Sequence, residues 1–201
     1  MLPGLMFLLA HLSRTPTLVA RLSGCLAPGV TLWQSRRMGD REKAALSPRR
    51  LVVVFESAVA EALLRFGVEL GFHSVLVEPD ATRLQGLPRA HGDLFVHDLS
   101  AARLDADTDL VVADHDRAEV GEVLQAALAA ETRWIGLLGN PKKEGPHVAA
   151  LRSLGVPDEQ IARVHRPVGL NIGSRTPAEI AVATLAGLIA DRNQRPGGFA
   201  F

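Results

Sequence analysis

The chain has 201 residues, 47% hydrophobic and 22% charged, with a formal net charge of zero. That balance gives no electrostatic case for nucleic acid or an anionic membrane, and the length suits one domain with some additional chain. A lone cysteine, Cys25, excludes an intramolecular disulfide and makes the cytoplasm the simplest location.

Residues 1–48 lack clean periodicity and read as a poorly specified N-terminal leader, with a helix expected over Leu5–Leu12. The apolar start, Met1 to Ala10, is too short to span a bilayer and lacks the basic start of a secretory signal. Arg36-Arg37 precedes no apolar run, which argues against twin-arginine export.

From Leu51 the character changes, and residues 49–192 are expected to form one domain. Leu51-Val52-Val53-Val54-Phe55 is a continuous apolar run, as in a strand buried on both faces. Ala58 to Leu70 has helical spacing and Gly71 can end it. Further strands are expected at Ser74–Glu78, Leu94–Val96, Leu110–Asp114 and Arg133–Leu138, and further helices at Glu119–Ala130 and Gly145–Leu154. The alternation predicts an α/β fold: a Rossmann-like, doubly wound parallel sheet with helices on both faces. Ligands of such sheets bind at the carboxyl ends of the strands. Those ends here are Glu56-Ser57, Glu78, Asp114-His115-Asp116 and Gly139-Asn140. Residues 193–201 read as a flexible tail.

The segment Val164 to Arg192 joins a polar, glycine-punctuated loop to an apolar helix. Thr176-Pro177-Ala178-Glu179 is a helix start: a capping Thr, Pro at the first helical position and an acid in the first turn. A loop that carries Arg166, Ser174 and Arg175 into a helix N-terminus is a candidate anion-binding edge. The plainer reading is a loop that packs a C-terminal helix.

Four stretches in this order carry a resemblance: Trp134-Ile135-Gly136-Leu137-Leu138-Gly139, Leu151 to Gly155, Val164 to Gly173, and Thr176 to Ala181. Over roughly residues 109–190 the chain resembles the C-terminal Rossmann domain of the XdhC/CoxI family, accessory proteins of molybdenum hydroxylases such as xanthine dehydrogenase. The resemblance implies binding of the molybdenum cofactor, a phosphorylated pyranopterin, and its delivery to an apo-hydroxylase. It implies a cofactor-binding chaperone rather than a catalyst, and it allows a homodimer. Two departures stand out. Relatives begin this domain with a glycine-rich turn, whereas this chain has Phe55-Glu56-Ser57-Ala58-Val59-Ala60. Without those glycines a backbone cannot approach a pyrophosphate, which argues against ordinary NAD(P) or FAD binding. Relatives also carry a separate N-terminal domain, of which Ser23-Gly24-Cys25-Leu26 is too little to build a site on.

The cofactor-binding candidates are His115, Gly139, Asn140, Lys142, His165, Arg166, Gly169, Asn171 and Gly173, with no catalytic residue and no metal ligand set. His115 either holds an anion or relays a proton near neutral pH, or it sits in an exposed turn beside a helix-capping Asp116. Gly139 permits close approach and Lys142 supplies charge, without the planar fork of Arg. Asn171 stands where relatives have an acid. Glu78 is either a ribose-binding acid or a solvated strand-end carboxylate. Two other functions compete with the maturation factor: a non-catalytic interaction module, and a nicotinamide-dependent oxidoreductase. The second rests on fold and Glu78 alone.

Overall fold

A strand that is apolar on both sides needs two covered faces, and this chain supplies them. The computed structural model describes residues 49–84, 94–140 and 145–198. The expected leader, its helix and Lys142 lie outside those residues. Strand β1 (Arg49–Val54) is central. It pairs in parallel with β2 (Phe72–Val77) on one side and β4 (Thr108–Val112) on the other. Strand β3 (Leu94–Val96) extends the sheet beyond β2, and β5 (Trp134–Leu137) and β6 (Val164–His165) extend it beyond β4. The order is β3-β2-β1-β4-β5-β6 and every pairing is parallel. This is the doubly wound Rossmann arrangement that the alternation of strands and helices implies.

Period-two alternation sorts the strand residues into two cores. Leu51, Val53, Leu76 and Val111 point to the layer of α1 (Ala58–Glu69) and α5 (Pro177–Arg192), where they meet Leu63, Leu64, Leu185 and Leu188. Val52, Val54, Val75, Leu110 and Val112 point to the layer of α2 (Val120–Ala129) and α3 (Pro146–Ser153), with Leu124, Ala127 and Leu151. A short helix, α4 (Asp158–Ile161), precedes β6.

The helix ends follow their sequence signals. Ser57 caps α1 by accepting from the Ala60 N–H at 3.1 Å, and Gly71, with φ of 80°, closes it. Thr176 and Glu179 form a full capping box at α5. At the amino edge of the sheet, buried Asp109 accepts from Arg133 at 2.6 Å and from Arg192 at 2.7 Å. That cluster ties the last turn of α5 to β4 and β5.

The sequence predicts five strands and a loop at Val164–His165, but β6 is a sixth strand. It has two residues, set by pairing Ile135 with Val164 and Gly136 with His165. No hydrophobic period marks a pair so short; the β5 edge does. The tail also has definite contacts before its end. The Arg195 N–H donates to the Ala190 carbonyl at 2.8 Å, and Gly197 lies against Leu170.

Candidate functional site

The carboxyl ends of β1, β4 and β5 open on a crevice where the strand order reverses. Its two halves are built differently. On the β1–β2 side the space is filled by the chain itself. Glu78 directly follows β2 and is fully buried. Its Oε2 accepts from the Glu56 N–H at 2.8 Å and its Oε1 from the Asp80 N–H at 2.9 Å. Both oxygens also accept from the Arg117 guanidinium, at 3.2 and 3.1 Å. Arg117 continues to Glu119 at 3.0 Å and lies over the Phe55 ring, 4.5 Å from its centroid. Its hydrogen bonds to Glu119 and Glu78 hold Arg117 firmly protonated, and Arg117 holds the Glu119 carboxyl below its usual range. Glu78 is therefore not a solvated strand-end carboxylate. Its acceptor positions are taken by two backbone N–H groups and a guanidinium of its own chain. Phe55 makes the tight turn with φ of 72°, where a glycine would turn without strain.

The β4–β5 side is open. A pocket of about 670 Å³ lies there, within the size range of small-molecule sites. Val59 of α1 and Ile180 of α5 line it together with Ala113 and Leu138, which follow β4 and β5. The strap 167–174 closes it, with Val168, Leu170 and Ile172 as apolar lining and Asn171 and Ser174 as polar lining. Asn140 and His115 complete the polar groups. The strap is shaped by Gly169 and Gly173, with φ of 90° and 71°. A Cβ on Gly169 would lie 2.8 Å from the Ala183 and Thr184 backbone, so only glycine lets the strap rest on α5. The Leu170 N–H donates to the Ala183 carbonyl at 3.0 Å.

Six expected residues meet in this pocket: His115, Gly139, Asn140, Gly169, Asn171 and Gly173. His165, the last residue of β6, and Arg166, just past it, do not line it. The His165 ring stacks on Trp134, with centroids 4.9 Å apart, in a separate depression of about 270 Å³. Arg166 passes behind Gly139, where a Cβ would lie 2.6 Å from its guanidinium, and donates to the Asn140 carbonyl at 3.2 Å. It braces the turn that presents Asn140. Buried His147, whose Nδ1 has no hydrogen-bond partner, packs beside it over Gly145. Burial, then the Arg166 charge, pushes the His147 imidazole below its ordinary value.

Asp116 does not cap the following helix. Helix α2 begins at Val120 behind Glu119, and the Asp116 N–H instead donates to Asp114 Oδ1 at 3.0 Å. Asp114, His115 and Asp116 each place one potential ligand atom within 4.8 Å of the others, a spacing that exposed turns adopt without an ion. The α5 N-terminus is also already served. Glu179 Oε2 accepts from the Arg175 and Thr176 N–H groups at 2.7 and 3.1 Å, which holds its carboxyl below the usual range. Among the described residues, no helix is long and apolar enough to cross a membrane.

Sequence reasoning missed the apolar lining from Val59, Ile180 and Leu138, and the closure of Glu78 by Arg117. The lining was visible as helix periodicity, but not which residues border a crevice. The closure had no local signal, since Arg117 lies 39 residues from Glu78.

Comparison with known proteins agrees with this architecture. A family model for the XdhC Rossmann domain matches residues 51–188. The chain is 31% identical over 162 residues to the uncharacterized protein YqeB of Escherichia coli, covering 74% of this chain and 28% of that protein. It is 32% identical over 94 residues to the molybdenum cofactor insertion chaperone PaoD of Escherichia coli, covering 47% of this chain and 29% of PaoD. The chain thus spans less than a third of either relative. A crystal structure of a xanthine dehydrogenase from Bacillus halodurans has the same fold, with a TM-score of 0.61 at 24% identity, over 77% of this chain and 46% of that one.

Proposed function

Because this chain belongs to the XdhC family and carries its Rossmann domain, we propose that it is an accessory factor that binds the molybdenum cofactor in the β4–β5 pocket and delivers it, in the cytoplasm, to an apo-hydroxylase of the xanthine dehydrogenase type. The observation that carries the reading is the pocket itself. It is about 670 Å³, apolar on several sides, and edged by two carboxamides, a hydroxyl and an imidazole. That donor set suits a pterin, a flat ring system with a polar edge. When bound, the cofactor supplies the molybdenum centre. The chain's own residues hold and shield it: Val59, Leu138 and Ile180 exclude water, while Asn140, Asn171, Ser174 and His115 fix orientation. Arg166 acts indirectly, by holding the Asn140 turn. The same relation to PaoD, a molybdenum cofactor insertion chaperone, supports delivery rather than catalysis.

The nicotinamide reading has little support beside this one, because the group that would read a ribose is engaged with Arg117. The test is cofactor retention. Protein is mixed with freshly released molybdopterin and desalted, and the oxidised pterin is read by fluorescence. Wild type should retain pterin, His115→Ala/Asn171→Ala should lose most of it, and His165→Ala should behave as wild type. A folded wild-type protein that retains none refutes the proposal.

A further inference from the structure

Phosphate seats in a doubly wound fold are backbone N–H groups at the first strand-to-helix turn and at helix N-termini. Two such seats adjoin the pocket, and each already holds a carboxylate of this chain. At the β1–α1 turn, Glu78 accepts from the Glu56 N–H at 2.8 Å. At the start of α5, next to Ser174 in the pocket lining, Glu179 accepts from Arg175 and Thr176. In both seats the backbone N–H groups that a phosphate would need are therefore already engaged by a carboxylate. The Arg117 guanidinium does not line the pocket and is fixed between Glu78, Glu119 and the Phe55 ring.

Between the two filled seats, the described lining combines apolar side chains with the His115 imidazole and neutral donors and acceptors. Asn140 and Asn171 each carry a carbonyl oxygen and an NH₂ group, and Ser174 adds a hydroxyl. A carboxamide matches the lactam–amidine edge of a pterin or guanine-like ring, which offers adjacent donors and an acceptor. Taking the cofactor-binding reading as its basis, we infer that this pocket recognises the ring by its hydrogen-bonding edge and leaves the phosphorylated tail outside, so that ring contacts carry the affinity. Glu78 and Glu179 are then specificity determinants that turn phosphate away from the two seats.

The experiment is a fluorescence-quenching titration of the full chain with 6-hydroxymethylpterin, which has the ring but neither phosphate nor metal. Molybdopterin retention is measured in parallel, with inorganic phosphate and pyrophosphate as competitors. Hydroxymethylpterin is expected to bind within about tenfold of molybdopterin, a difference of about 1.4 kcal/mol. Asn171→Ala and Asn140→Ala, both exposed positions, should each weaken it by about tenfold or more, because a polar edge is then left unpaired. Phosphate at about 10 mM should displace neither ligand, since its seats are taken. If molybdopterin is retained while hydroxymethylpterin fails to bind and pyrophosphate competes, the tail carries the affinity; this inference falls and the cofactor-binding reading stands. If the folded protein binds neither pterin, both fall.

Discussion

The two halves of the crevice begin from the same parallel strands and end in opposite states. Between β1 and β2, a fully buried acid, an arginine and an aromatic ring close the space with internal hydrogen bonds. Between β4 and β5, a glycine-shaped strap stands off the strand ends and leaves a pocket. The contrast shows how one parallel sheet can close one half of its carboxyl-end crevice and leave the other half open. A buried carboxylate at the end of β2 must have partners, and here the chain itself supplies them.

The largest expected effect comes from opening the closed half. Glu78→Ala would leave Arg117 with Glu119 as its remaining carboxylate partner and strand two backbone N–H groups, so urea denaturation should show a loss of roughly 3–5 kcal/mol. A loss below about 1 kcal/mol would mean that the half is not held by this acid. Next comes the strap of the open half. Gly169→Ala combines positive φ with a backbone clash, and about 2–3 kcal/mol of stability should go along with pterin retention. Gly173→Ala has positive φ but nothing within 4 Å, so about 1 kcal/mol is expected. Equal effects of the two would contradict the close rest of the strap on α5. Thr176→Ala removes one half of the capping box and should lower the melting temperature by the equivalent of about 1 kcal/mol.

The smallest effects are pH-linked. The His147 imidazole is held below its ordinary value of 6.5 by burial and by Arg166. As pH falls through that value, the unfolded chain takes up a proton that the folded chain refuses, so stability should decline on the acid side. His147→Leu should flatten that decline in urea midpoints measured from about pH 7.5 to 5.5. The Glu179 carboxyl is likewise held below its ordinary value of 4.5, by the Arg175 and Thr176 N–H groups. Its contribution is complete above that value and fades as pH falls through the lowered one. Amide exchange at the start of α5 should therefore quicken in acid, and less so in Glu179→Gln.

Much of the scaffold was legible in the sequence. Leu51–Phe55 and Leu110–Val112 are apolar on both faces, which only a covered parallel strand requires. Thr176 and Glu179 announced their helix start because capping is local chemistry. The short β6 was not legible, since two residues carry no period. That omission also hid the parting of His165 and Arg166. His165 ends the strand and stacks on Trp134, whereas Arg166, just past it, lies against the Gly139 turn. Glu78 stood out by position, but its partner lies across the sheet's switch point, and no spacing rule connects the two.

The contact between the strap and α5 has a kinetic consequence. Gly169 and Gly187 bring the two backbones together, a Cβ on Gly187 lying 3.2 Å from Gly169 Cα, and the Leu170 N–H is bonded to the helix. The pocket wall is thus part of the core helix rather than a lid hinged beside it. A receptor organised before its ligand arrives has no slow closing step. Association should then be a single exponential whose rate climbs linearly with ligand concentration, without the plateau of a conformational gate.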